Sequence, residues 1–143
     1  MKRFLQFGAL ALALVLVSGC GSSSKGTVLS CSKSVSEDEG SYKETEKMTF
    51  TDGKVSKVGM EIEMTFNEGD PADYKAFYDA AFSESKDGIS YSSKTKGKTL
   101  TISIDADLAK VSAEDLEDLD MSVKEGTYES LKAEYEENGY TCK

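Results

Sequence analysis

The chain contains no histidine and no tryptophan. Without histidine it lacks the commonest general base, the imidazole of a catalytic triad and most zinc and copper ligand sets, so conventional hydrolase chemistry is disfavoured. Without tryptophan, any stacking against a sugar ring falls to tyrosine. Neither a phosphate-binding loop nor a dinucleotide-type glycine pattern is present. The uncharged apolar stretch from Phe4 to Val17 is shorter than the roughly 20 residues a helix needs to cross a bilayer. Positive charge is scarce too: 17 Lys and Arg face 26 Asp and Glu, for a formal net charge of -9. Such a balance repels nucleic-acid phosphates and anionic lipid surfaces, and leaves cations, basic proteins and uncharged ligands as the easier partners. Its plainer consequence is the solubility of a surface protein.

What is present begins at the N-terminus. Lys2 and Arg3 precede the apolar stretch, which ends in Val17-Ser18-Gly19-Cys20. Positive residues, an apolar run and then small residues are the order of an export signal. A thiol directly after the small residues distinguishes a lipoprotein signal, because it leaves a nucleophilic sulfur for lipid attachment. The expectation is that residues 1–19 are removed and Cys20 becomes the lipid-bearing first residue of an extracytoplasmic bacterial lipoprotein. An ordinary secretion signal with an incidental cysteine is the alternative. Two acyl chains, at ~0.8 kcal/mol per buried methylene, suffice for stable anchoring. Removing residues 1–19 takes away Lys2 and Arg3 and no acid, so the charge of the remainder moves from -9 to -11.

Residues 20–26 are rich in Gly and Ser and read as the lipidated cysteine with a flexible tether. Residues 27–143 are the size of one domain with one core. Of three cysteines, Cys31 and Cys142 remain for this domain. An exported chain sits where disulfides persist, so the pair is expected to staple the two ends of the fold, with two buried free thiols as the alternative.

Hydropathy patterning predicts a strand from Thr27 to Val35, a break at Ser36–Ser41 and a second strand from Tyr42 to Thr51. Asp52-Gly53 is a hairpin turn into a third strand. There Val58, Met60, Ile62, Met64 and Phe66 alternate with Gly59, Glu61, Glu63 and Thr65, so one face is apolar and the other meets water. Asp70-Pro71-Ala72-Asp73 opens a helix carrying an aromatic stripe of Tyr74, Phe77, Tyr78 and Phe82 with Ala81. A hairpin over 88–93 and 99–107 follows, joined by a polar turn at 94–98. After it come a short acidic helix opening at Ser112, a longer helix from about Thr127 to Asn138 stopped by Gly139, and a brief last strand at Tyr140–Cys142 beside the first. The fold class expected is α+β, an antiparallel sheet of five to six strands with two helices packed on one face.

The run Met48-Thr-Phe-Thr-Asp-Gly-Lys-Val-Ser-Lys57, the strand to Phe66, Leu100-Thr-Ile-Ser-Ile-Asp-Ala-Asp107 and a last helix ending Glu137-Asn-Gly-Tyr140 resemble the YehR-like family of small bacterial lipoproteins. The resemblance implies an α+β domain of uncharacterised activity and carries over no catalytic residues.

Three sets of residues are candidates for chemistry. Asp105, Asp107, Glu114, Asp115, Glu117, Asp118 and Asp120 supply hard oxygen ligands of the kind Ca²⁺ takes, with Asp105, Asp107, Asp115 and Asp118 as the nearest to a ligand set, although the spacing fits no EF-hand. Helix capping by Ser112 and a solvated acidic face account for them more simply. Tyr74, Tyr78, Tyr128 and Tyr135 could line a groove between the helices, although packing against the sheet is the more general use of such spacings. Glu61 and Glu63 could do acid and base work, but they share a face expected to be solvated, where their ionisation would be ordinary. The favoured function is therefore a non-enzymatic binding or accessory lipoprotein at the cell envelope, contacting its membrane through lipid, a protein partner through its surface, and no nucleic acid. A cation-binding lipoprotein and a carboxylate-dependent enzyme are the alternatives.

Overall fold

A computed structural model describes residues 26–84, 86–118, 123 and 125–143. The expected signal peptide, the lipidated Cys20, most of the tether and Asp120 lie outside the described residues. Nine elements follow in chain order: β1 (Thr27–Glu37), β2 (Gly40–Thr51), β3 (Lys54–Phe66), α1 (Pro71–Ala81), β4 (Ile89–Lys96), β5 (Thr99–Asp107), α2 (Ala113–Asp118), α3 (Tyr128–Glu137) and β6 (Thr141–Cys142). The strands form one antiparallel sheet in the order β4-β5-β3-β2-β1-β6. This is the α+β architecture expected from the patterning.

Asp52 and Gly53 take positive φ of 52° and 76°, the backbone that matches a two-residue hairpin turn to strand twist. Two other turns are tighter than composition implied. Glu37 pairs with Gly40, so the polar run at 36–41 is mostly strand, and Lys96 pairs with Thr99, leaving only Gly97-Lys98 in the turn. Ser, Glu and Lys continue these strands because ladder hydrogen bonds are made by the backbone, and their side chains reach water. Gly40 is needed where it stands: a Cβ there would lie 2.1 Å from the Thr65 carbonyl oxygen across the β2–β3 pair.

Register puts the apolar residues of every strand on one side. Met48 pairs with Val58, Val58 with Ala106, and Ala106 with Ile89; Leu29 pairs with Met48. Both long helices cover this side. α3 lies against β1 and β6, where Leu131 and Tyr135 close over Leu29, Met48 and Phe50. α1 lies against β4 and β5, over Met64, Phe66, Leu100, Ile102 and Ile104. The core is thus two adjoining clusters, one under each helix. The opposite side of the sheet carries mainly Ser, Thr, Lys, Glu and Asp, with Val28 as an exposed apolar exception.

α1 begins as its sequence dictates. Asp70 caps it by accepting from the Ala72 backbone N–H at 2.9 Å, Pro71 occupies the first turn, and Asp73 is the acid of that turn. The aromatic stripe is only partly used. Tyr74 stacks on Phe66 with ring centroids 4.6 Å apart and Phe82 on Tyr91 at 4.5 Å, but Phe77 is 60 % exposed. Three- and four-residue spacing expected Phe77 in the core; the helix instead leans on β4 and leaves that ring at its flank. Asp79 makes the lean, accepting from the Tyr91 hydroxyl at 2.9 Å and from Ser93, both on β4, while Lys75 pairs with it along the helix.

α3 opens with a reciprocal cap between Thr127 and Ser130 and ends before Gly139, whose φ of 83° turns the chain back. The returning β6 sets Cys142 opposite Cys31, and the two are joined as a disulfide. Ser30 and Lys143 exchange backbone hydrogen bonds beside it, at 3.1 and 2.9 Å. No helix among the described residues is long and apolar enough to cross a membrane.

Candidate functional site

The register that brings Gly40 opposite Phe66 gathers three segments at one end of the sheet: the β1–β2 turn, the end of β3 and the start of α1. Between them lies a groove of about 550 Å³, within the range of small-ligand and peptide-side-chain sites. Met64 and Phe66 form its floor, and Tyr74, Phe77 and Tyr78 of α1 form its wall. Its rim is acidic. Glu39 comes from the β1–β2 turn, Glu68 and Asp70 from the β3–α1 loop, and Asp73 from the helix. No lysine or arginine lines it. The Lys98 ammonium stands at the edge of this rim, donating to the carbonyl of Gly69, between Glu68 and Asp70, at 3.1 Å. The rim is held in place from below, because the Asn67 N–H donates to the Glu39 carbonyl at 3.0 Å and its side-chain amide to the Asp38 carbonyl at 2.8 Å.

The sequence-derived tyrosine set divides between the two clusters. Tyr74 and Tyr78 line the groove under α1. Tyr128 packs on Phe50 with ring centroids 5.7 Å apart, and Tyr135 is buried under α3. The four therefore do not share one groove, because each helix covers its own end of a wide sheet.

A polar seam that sequence reasoning missed runs along β2 between the clusters. Tyr42, Glu44 and Glu46 alternate onto the covered face with Met48. Glu46 is buried and accepts a hydrogen bond from the Tyr135 hydroxyl, and Tyr42 donates to Glu44 at 3.2 Å. Burial first, and then the charges of Glu44 and Glu46, push the phenols of Tyr42, Tyr135 and Tyr140 well above their ordinary range. The signal was available, since strict alternation from Met48 back to Tyr42 places both glutamates inward. The three phenols therefore hold their protons near neutrality, and the Tyr135–Glu46 hydrogen bond ties α3 to β2.

Of the expected cation ligands, Asp105 and Asp107 lie together and Asp115 lies apart from them on α2. Asp105 and Asp107 project from β5 on the open side of the sheet, into a hollow of about 450 Å³ that Lys47, Lys57 and Lys110 also line. Asp107 accepts from the Ala109 N–H at 3.2 Å. Asp115 is turned to Lys86 at 3.0 Å and to Ser112, contacts that hold its carboxyl below the usual range, the Ser112 hydrogen bond contributing most. The side chain of Asp118 lies outside the described residues. Among the described residues no three acids, cysteines or histidines gather as a metal site. Lysines stand beside the described acids: Lys47, Lys57 and Lys110 line the hollow of Asp105 and Asp107, and Lys86 pairs with Asp115. Glu61 and Glu63 lie on the open side as alternation requires, half-exposed, with Glu61 3.8 Å from Lys47.

No protein-family model matches the chain, and no curated protein matches it either. Among solved structures, the NMR structure of a protein from Streptococcus pneumoniae TIGR4 is similar, with a TM-score of 0.61 and 13 % identity over 94 % of each chain. At that identity the likeness shows a shared fold and nothing of activity.

Proposed function

We propose that the protein is a lipid-anchored, non-enzymatic binding protein at the outer face of a bacterial membrane, and that the groove beside α1 is its binding site. The export-type N-terminus with Cys20 after small residues supports the address. One observation carries the binding role: a large aromatic side chain, Phe77, stands 60 % exposed over an apolar floor instead of joining the core. Exposed apolar surface of this kind, rimmed by polar groups, marks interaction sites on soluble domains. The open side of the sheet offers no counterpart, since its hollow mixes acids with lysines and carries no aromatic ring.

Site-specific photo-cross-linking in the native membrane tests the reading. A photoreactive residue replacing Phe77 is expected to capture a defined partner, while the same residue replacing Ser92 on the open side captures none. Cross-links that form from Ser92 and not from Phe77 would overturn it.

A further inference from the structure

Resting on that reading of the groove, we infer that its occupant is a cationic amphipathic peptide segment, with basic side chains at the rim and apolar side chains against the floor. The groove has an acidic end and an apolar end. All four carboxylates stand where the β1–β2 turn meets the start of α1, and the apolar surface of Phe77 and Tyr78 continues along the helix away from them. Asp70 is engaged in capping and Asp73 complements the helix N-terminus, so these two answer the helix's own partial charge. Glu39 and Glu68 are exposed and have no such duty. The Lys98 ammonium on the Gly69 carbonyl offsets part of this charge, and the four acids leave an excess of negative charge beside an apolar slot, in a chain whose net charge is -9.

Complementarity then selects the occupant. A second copy of this chain would bring more acid to the rim, and an anionic lipid surface or nucleic acid would be repelled. A purely apolar ligand would leave the rim unanswered. A lysine or arginine meets both needs, since its ammonium or guanidinium pairs with Glu39 and Glu68 and lies near aromatic rings, where cation–π attraction adds to the charge term. Its aliphatic neighbours cover Phe77 and Met64. The groove is open to solvent, with the exposed Phe77 in its wall, which suits a peptide segment laid across it rather than an enclosed small molecule.

The test is binding of a synthetic peptide of alternating lysine and leucine to the purified protein, followed by calorimetry or fluorescence anisotropy. Alternating glutamate–leucine and lysine–serine peptides serve as controls. The lysine–leucine peptide is expected to bind, both controls to bind at least roughly tenfold more weakly, and added salt to weaken the complex. The paired substitution Glu39→Gln and Glu68→Gln is expected to weaken binding roughly tenfold, and Phe77→Ser by a similar factor. All three positions are exposed, so circular dichroism and melting temperature stay unchanged. Equal binding of the lysine–serine peptide, or insensitivity to Phe77→Ser, would mean unspecific charge attraction and overturn the inference. So would an alkylammonium ion that binds as tightly as the peptide, or self-association abolished by Phe77→Ser. If the photoreactive residue at Phe77 captures a partner while the lysine–leucine peptide fails to bind, the occupant class falls and the groove stands as a site. If both fail, the reading of the groove falls with it.

Discussion

The phenol of Tyr135 on α3 donates to the carboxylate of Glu46 on β2, joining positions 89 residues apart beneath the helix. Glu46 is 7 % exposed, so its charge depends on donors fixed by the fold rather than on water. Replacing Tyr135 by Phe keeps the ring and removes one donor. The expected cost is about 1–3 kcal/mol of unfolding free energy, measured by urea titration at neutral pH. A variant as stable as the parent would show that Glu46 draws nothing from this bond.

Alkaline stability follows from the same seam. Tyr42, Tyr135 and Tyr140 have folded values raised above the ordinary 10.0, chiefly by burial. A raised value favours the proton-bound folded state, so the contribution is complete below pH 10 and is lost as pH rises above it, where the unfolded chain ionises first. Tyrosinate absorbance is expected to appear together with loss of far-ultraviolet structure. Ionisation of all the tyrosines near pH 10 in a still-folded protein would contradict this.

Acid acts on the other helix. Asp79 is held at about 2 by hydrogen bonds from Lys75, Ser93 and Tyr91, against an ordinary 3.8. The depressed value means that its contribution is present above about pH 4 and is lost as pH falls from there towards about 2. Asp79→Asn is expected to flatten the pH dependence of the melting temperature in that window. It should also loosen α1 from β4, seen as faster amide exchange along the helix.

The disulfide closes a loop between positions 111 apart. Chain-entropy reasoning gives a loss of roughly 4–5 kcal/mol when it is reduced or when Cys142 is replaced by Ala together with Cys31. Denaturant titrations of the oxidised and reduced protein measure the difference directly.

Two substitutions of nearby residues should have opposite outcomes. Phe77→Ala removes an exposed ring and is expected to change stability by less than about 0.5 kcal/mol. Gly40→Ala drives a methyl group against the Thr65 carbonyl and should cost about 1–3 kcal/mol, read from thermal melts.

The proposed membrane attachment makes Cys20 the residue to test. A tagged fatty acid supplied to growing cells is expected to label the protein, and Cys20→Ser to abolish both the label and retention in the membrane fraction. An unlabelled parent protein would remove the lipoprotein reading while leaving the groove untouched.

Alternation along β3 and the Asp52-Gly53 pair made the sheet legible in the sequence, because both signals are local. Proline after a capping aspartate made the start of α1 legible for the same reason. Turn lengths were misread where Ser, Glu and Lys continue a strand, since side-chain polarity reports exposure and not backbone pairing. The helix stripe was read correctly as far as Tyr74 and Phe82, whereas the exposure of Phe77 depends on the tilt that Asp79 sets against β4. Alternation along β2 already pointed Glu46 inward, but its partner Tyr135 lies 89 residues away and could not be read from local sequence. The groove was the least visible feature of all. Its acids come from three separate segments, and only the register of Glu37 with Gly40 and of Gly40 with Phe66 makes them neighbours.

The direction of β1 separates the groove from the end of the domain at which the N-terminal segment enters. The strand leaves Thr27 at one edge of the domain and runs 11 residues, about 35 Å, to the turn that supplies Glu39. Whatever holds the N-terminal end therefore leaves the groove, at the far end of the strand, free of that attachment point.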